Sequence, residues 1–399
     1  MVFMGKKLMI LGAGRGQVGL IQTAKRLGYT TVVTSIAGNY PGFAYADEVC
    51  YADISDPQQV SQAAMQHGVS GIATACLDTG VPALGYACEQ NHLTGLSERS
   101  AKLCGDKLLM KTAFMEKGVN TARFKKVSSL EDVEHVLETL NLPLIVKAVD
   151  LQGSRGIFIA RTREELFGGY EKAMRETNKD FCIIEEFIEG YEFGAQAFVV
   201  DRKVLFILPC GDETYMAGTA IPVGHYAPLQ LEEDVLQQVY QQVSLAISAV
   251  ELNDCAVNID MILKDGKVYM IELTGRIGAN CLPELTSIYY GVDIYKMIIA
   301  TAMGENPEAY FHTTKKKPTP CYAKMLLSEK SGTIKKIINQ NGDHSDIVEI
   351  TFFVHEGDRI NRFSNSRDCL GQVIVKGDTL EECEKLIEEV VSNIEFVLE

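Results

Sequence analysis

Apolar and polar residues alternate through AVNIDMILKDGKVYMIELTGRIGAN, residues 256 to 280. Ile259, Met261 and Leu263 on one side of Lys264-Asp265-Gly266 match Tyr269, Ile271 and Leu273 on the other. That period of two predicts a pair of strands with one buried face. The reading favours a three-residue loop with Gly266 in the left-handed conformation. It sets Asn258 opposite Glu272 and Asp260 opposite Met270, so that Asn258, Asp260 and Glu272 share the second face. A two-residue loop would instead send Asp260 and Glu272 to opposite faces.

Elsewhere the pattern changes along the chain. Residues 6–95 alternate short strands (Leu8–Leu11, Thr30–Thr34, from Gly71) with helical stretches such as Gln17–Leu27. This predicts a parallel, doubly wound sheet. Residues 96–125 read as largely helical. Residues 122–205 form an α+β module of their own, with strands at Ala122–Val127, Leu144–Val149, Cys182–Phe187 and Ala195–Val200 and helices opening at Ser129 and near Glu164. Further on come a helix at Glu232–Val250, strands at Val348–Val354 and Gln372–Val375, and a last helix opened by a Thr379/Glu382 capping box. The run Lys315-Lys316-Lys317-Pro318 reads as a solvated linker. There is no internal repeat.

The length of 399 residues predicts two or three domains, and 46% hydrophobic with 23% charged residues is ordinary for a globular protein. No apolar run is long enough to span a bilayer. The net charge of −15 argues against a nucleic-acid surface. Eleven cysteines without a CxxC pair or a His/Cys cluster read as reduced thiols, which leads us to expect a cytoplasmic protein without zinc.

Two carboxylates on one sheet face repel unless a cation lies between them, and a few hard oxygen ligands suit Mg2+ (Mn2+ as an alternative) bridging substrate phosphates. Arg276 follows Glu272 by four residues and adds a positive fork. Solvated hairpin acids are the competing reading. Lys107 and Lys147 come from separate segments, and Lys147 sits late in an apolar strand, where a lysine needs a partner. The loop Asp150–Ile157, with Gly153, Ser154, Arg155 and Gly156, offers backbone N–H groups. Together these could enclose a triphosphate. In Ile184–Glu192 a strand runs into a linker: Glu185, Glu186, Phe187 and Ile188 could read an adenine edge, and Glu192 could take ribose hydroxyls. His225 is a candidate substrate or nucleotide contact, with a loop histidine of no function as the alternative. Gly14-Arg15-Gly16-Gln17-Val18-Gly19 fits GxGxxG, but Thr34-Ser35-Ile36 supplies no acid for a nicotinamide ribose.

In this order and spacing the pieces resemble the ATP-grasp superfamily of carboxylate–amine ligases. The resemblance implies an α/β and α+β fold: an N-terminal Rossmann-like (pre-ATP-grasp) domain over 1–95, a two-part ATP-grasp domain over 96–305 with a lid subdomain near 122–205, and a small C-terminal α+β domain over 306–399. It implies ATP and Mg2+ as cofactors, Lys107 and Lys147 on the phosphates, Gly153 to Gly156 as the lid loop, Glu186 and Ile188 on adenine, Glu192 on ribose, Asp260 and Glu272 on the metal, and Arg276 steadying an acyl phosphate. Small-molecule acids and amines are the implied partners, with a homodimer as the general expectation. Many members carry Asn where this chain has Thr274, which puts a second metal position in question. Asn280 stands where biotin carboxylases place a Glu base. Arg276-Ile277-Gly278 is closer to phosphoribosylglycinamide synthetases and L-amino-acid ligases. The rival functions are a biotin-carboxylase-like enzyme, a nicotinamide oxidoreductase and a protein that binds ATP without turning it over.

Overall fold

In the computed structural model the described residues are 5–151, 156–216, 220–312 and 317–399. The amino-terminal part is a four-stranded parallel sheet in the order Glu48–Tyr51, Thr30–Ser35, Lys7–Leu11, Gly71–Ala73. The two central strands are buried along almost their whole length. That explains their continuous apolar character, since a parallel sheet is covered on both faces. Gly16 and Gly19, on the helix Arg15–Arg26, serve packing: a Cβ would lie 2.7 Å from the Cβ of Cys76 at Gly16 and 2.6 Å from the Tyr295 ring at Gly19.

A second four-stranded sheet, Phe124–Val127, Cys182–Glu186, Leu144–Lys147, Ile157–Ala160, is antiparallel throughout. It has its own small core, in which Val133, Leu166 and Ala173 from the helices Leu130–Val136 and Arg163–Glu176 meet Val127, Val146 and Ile184. Both helices start with a capping box, at Ser129/Asp132 and Thr162/Glu165.

The largest sheet has eight strands and runs from Lys267–Thr274 through Cys255–Lys264, Tyr191–Val200, Lys203–Met216 and Ala220–Ala227 to Cys321–Leu326, Gly371–Lys376 and Ile347–Phe352. The helix Glu233–Ala249 packs behind the hairpin, with Val235, Val239 and Val243 in the same core as Val257, Met261 and Met270. A three-stranded sheet and the helix Leu380–Ser392, opened by the Thr379/Glu382 box, complete the chain. Two helices, Leu282–Tyr290 and Ile294–Ala302, fall in a stretch for which the sequence pattern had suggested no helix.

The hairpin differs from the expected register. Lys264 pairs with Lys267, so the loop is the two residues Asp265 and Gly266, at φ 51° and 73°. Positive φ at both central positions belongs to the tight turn that matches strand twist. The register then shifts between Asp260 and Met261, leaving Ile271 as an extra residue. This bulge moves Glu272 directly opposite Asp260 and Thr274 opposite Asn258. The two-residue loop thus keeps the carboxylates on one face, because the bulge cancels the change of parity that the shorter loop introduces.

Candidate active site

Lys107 is the first residue of the helix Lys107–Lys117, whose amino end is capped by the Asp106 carboxylate accepting from the N–H groups of Leu108 and Leu109. Its Nζ donates to the Leu151 carbonyl at 2.8 Å and lies 3.5 Å from Glu272 Oε2. One turn on, Lys111 points the same way. Its Nζ donates to Thr121 Oγ1 at 2.8 Å and stands 2.6 Å from Glu185 Oε2.

Lys147 ends its strand, and the partner that burial demands is also Glu185, which ion-pairs through Oε1. Lys147 pairs with Ile183 across the sheet, so Glu185 sits diagonally on the same face. All three side chains are buried. Burial works against the charge of Lys147, but the pull of Glu185 overrides it and holds the ammonium above its usual range. Burial also lowers Lys111, which receives the same pull but is repelled by Lys147. Between two ammonium groups Glu185 stays ionised, below the ordinary carboxylate range despite its burial. Glu185 therefore neutralises the two lysines from within. The linker 187–190 follows the strand, with Phe187 N–H bonded to the Pro143 carbonyl and Glu186 paired with Arg123. Glu192 is exposed at the start of the next strand. Gly156 is buried at φ 65°, whereas Gly153, Ser154 and Arg155 lie outside the described residues.

Asp260 and Glu272 face each other across the hairpin. Burial, the neighbouring Glu272 and then Asp212 push the Asp260 carboxyl up to about 8. Asn258, on the same face, donates to Asp260 Oδ1 at 3.4 Å and is fixed by Gln196, whose Nε2 donates to Asn258 Oδ1 at 2.7 Å. The amide missing at Thr274 is thus present on the strand opposite. A carboxyl pushed up by burial and by a carboxylate directly opposite fits a divalent cation, which Asp260 and Glu272 with Asn258 would hold; when bound with ATP such a cation neutralises phosphate oxygens.

The pressure on Asp260 has a sign. Its folded pKa lies above its unfolded one, so the native state holds more protons between the ordinary carboxylate range and about 8. Its contribution to stability falls as pH rises through that window. The melting temperature of metal-free protein should decline over this range. In Asp260→Asn the decline should flatten, and a melting series against pH checks it.

Arg276 is almost wholly buried and grips Asp78 with both arms, Nε to Oδ1 at 2.6 Å and Nη2 to Oδ2 at 2.5 Å. Asp78, not singled out from sequence, comes from the amino-terminal part, so this pair ties the sheet of residues 7–73 to the end of the hairpin. His225 is also corrected: it lies in the strand Ala220–Ala227, not a loop, and its Nδ1 is 2.6 Å from Asp212 Oδ1. A cleft of about 520 Å3 joins Lys107, Asp150, Asn258, Glu272, Arg276 and Asp78. All eleven cysteines are free. No helix among the described residues is long and apolar enough to cross a membrane.

Residues 105–249 match the ATP-grasp (A) domain of phosphoribosylglycinamide synthetase, and residues 324–399 match the L-amino acid ligase C-terminal domain 2. The crystal structure of phosphoribosylglycinamide synthetase from Anaerococcus prevotii is 49% identical, covers 99% of this chain and 100% of its own, and superposes with a TM-score of 0.88. The L-amino acid ligase from Bacillus licheniformis shares the fold at 21% identity, with 99% of each chain covered and a TM-score of 0.82. Alanine–anticapsin ligase from Bacillus subtilis is 24% identical over 64% of this chain, and the match spans 60% of that protein. A bidentate arginine, a cleft lined by Lys107 and facing carboxylates, set on this fold with these relatives, leave one assignment: the chain belongs to the ATP-grasp family of carboxylate–amine ligases, enzymes that form carbon–nitrogen bonds with ATP.

Proposed function

We propose that the cleft activates a small carboxylic acid as its acyl phosphate and passes it to an amine, releasing ADP and phosphate. The observation that carries this reading is the convergence of Lys107, Glu272 and Arg276 on one cleft with Asp260 directly across from Glu272. A carboxylate is a poor electrophile, and phosphorylation gives it a leaving group. The protein's share is to position the reactants and balance their charge. Lys107 and Lys147 neutralise the phosphates of ATP. Asp260, Glu272 and Asn258 hold the accompanying Mg2+, or Mn2+ in its place. Arg276, fixed by Asp78, steadies the forming acyl phosphate. The linker 186–188 reads adenine, Glu192 the ribose, and the segment 153–156 covers the phosphates. His225, held by Asp212 beside the metal face, orients that carboxylate.

The acid and amine are those of an amino-acid ligase or of a phosphoribosylglycinamide synthetase. The carboxy-terminal match favours the first and the amino-acid identity to the Anaerococcus protein the second. Release of ADP from Mg·ATP, assayed over paired acids and amines with glycine plus phosphoribosylamine among them, tests the reading. Dependence on both partners is the expected result, and ATP turnover indifferent to every pair would refute it. Glu272→Gln should raise the Mg2+ concentration for half-maximal ADP release by about 10-fold or more.

A further inference from the structure

Lys111 is a buried ammonium group to which the chemistry above gives no task. It stands one turn beyond Lys107 on the helix Lys107–Lys117. Lys107 lines the cleft, whereas Lys111 lies at a seam between two sheets. The helix stops at Gly118, in the left-handed conformation at φ 73°, and the chain then follows the outer strand of the hairpin. Asn120 and Thr121 hold that strand. The Met270 N–H donates to the Asn120 carbonyl at 2.8 Å, Asn120 Nδ2 to the Val268 carbonyl at 3.2 Å and Thr121 Oγ1 to the Met270 carbonyl at 3.0 Å. The strand Lys267–Thr274 is an edge of the eight-stranded sheet, so these bonds satisfy backbone groups that no further strand pairs. Glu272 is two residues beyond Met270 on the same strand.

On its other side Lys111 meets the four-stranded sheet. Its Nζ is 2.6 Å from Glu185 Oε2 and 5.7 Å from the centre of the Phe124 ring, and Phe124 and Glu185 are paired on adjacent strands. Glu185 Oε1 in turn holds Lys147. The hydroxyl of Thr121 accepts from Lys111 at 2.8 Å while donating to the hairpin. A continuous polar path therefore joins the strand that carries Glu272 to the strand that carries Lys147.

This path does two things. Lys147 with Glu185 alone would be a neutral pair with little left to attract a phosphate. Lys111 makes the cluster two cations to one carboxylate and leaves it a net positive charge. The path also fixes a spacing. Lys147 and Glu272 stand on different sheets, and a triphosphate with its cation has to meet both at once, which rewards a preset separation.

We propose that Lys111 is a positioning residue for phosphoryl transfer. Through Glu185 and Thr121 it sets Lys147 against the hairpin carboxylates, and it frees the charge of Lys147 for the nucleotide. The assignment rests on the ligase reading above, which puts Lys147 on the phosphates of ATP. Lys111 itself touches no substrate.

The test compares wild-type protein with Lys111→Met, Thr121→Val and Thr121→Ser, and repeats Thr121→Val on a Lys147→Ala background. Lys111→Met leaves Glu185 paired with Lys147, and a thermal melt confirms that each variant is folded. One readout is the Kd of Mg·ADP by titration calorimetry, which needs neither acid nor amine. The other is kcat/KM for Mg·ATP in ADP release, with glycine or L-alanine as the acid and hydroxylamine as the nucleophile. Lys111→Met should weaken Mg·ADP and lower kcat/KM for Mg·ATP by about 10- to 100-fold each, with KM for the acid unchanged. Thr121→Val keeps every charge and should lose about tenfold in both quantities. Thr121→Ser keeps the hydroxyl and should restore them. On the Lys147→Ala background Thr121→Val should cost nothing further, because the group it positions is gone.

A Kd for Mg·ADP within about threefold of wild type in Lys111→Met would overturn the proposal. So would a loss from Thr121→Val that persists undiminished beside Lys147→Ala, or a KM for the acid that rises as much as the KM for ATP, either of which marks a general structural defect. Wild-type protein that binds no Mg·ADP would bring down the ligase reading, and this proposal with it. Wild-type binding and turnover with every variant unaffected would remove Lys111 alone.

Discussion

Glu185→Ala is expected to lower the unfolding free energy by about 3–5 kcal/mol, the range seen when one member of a buried ion pair is removed. The reason lies in what remains. Lys111 and Lys147 both point at Glu185, all three are buried, and the described residues place no second carboxylate between the two ammonium groups. Without Glu185 the lysines would repel each other where water screens poorly. Lys111, already lowered by burial and by Lys147, would give up its proton first. Urea unfolding of wild type and Glu185→Ala checks the magnitude. The double variant Lys111→Met/Glu185→Met, which leaves Lys147 as the sole charge, should recover part of the loss. A difference under about 1 kcal/mol between wild type and Glu185→Ala would mean that water reaches this cluster.

Lys147→Ala is expected to cut Mg·ATP-dependent ADP release by about 100- to 1000-fold, the effect of removing one fixed donor from developing charge. The fold should survive, because Lys111 still faces Glu185 at 2.6 Å. Lys147→Arg should not restore activity. The guanidinium is broader and planar and presents its donors in a fixed fork, unlike the compact ammonium it would replace. Coupled detection of ADP together with a thermal melt separates the two effects. Activity within tenfold of wild type in a folded variant would remove Lys147 from the phosphate site.

The residues most legible from sequence were those whose chemistry conflicts with their neighbourhood. Lys147 stood out because its strand is otherwise apolar, and Asp260 and Glu272 because alternation placed one acid from each of two facing strands on the same face. The parallel sheet near the amino end followed from short apolar runs separated by helical stretches. What stayed hidden was non-local. Asp78 is far from Arg276 along the chain, and nothing beside Asp78 in sequence announces the pairing. Lys111 sits in an ordinary amphipathic helix, where a lysine is normally solvated. The bulge at Ile271 was invisible because alternation constrains faces and not the residue count of each strand. The helices Leu282–Tyr290 and Ile294–Ala302 escaped for a different reason: every residue of the second except Lys296 is buried. A helix covered on all sides has no polar stripe to reveal its period. Pro283 at the start of the first, Gly291 after it and Asp293 capping the second were the usable boundary marks.

Pairing of Ala220–Ala227 with Cys321–Leu326 has a further consequence. The hydrogen-bonded ladder passes from the hairpin that carries Asp260 and Glu272 into the last part of the chain. That part is no detachable accessory. Stripping it away would bare a raw strand edge beside Asp212 and His225 and invite self-association. Wholesale exchange of the carboxy-terminal segment must therefore reproduce this strand seam residue by residue.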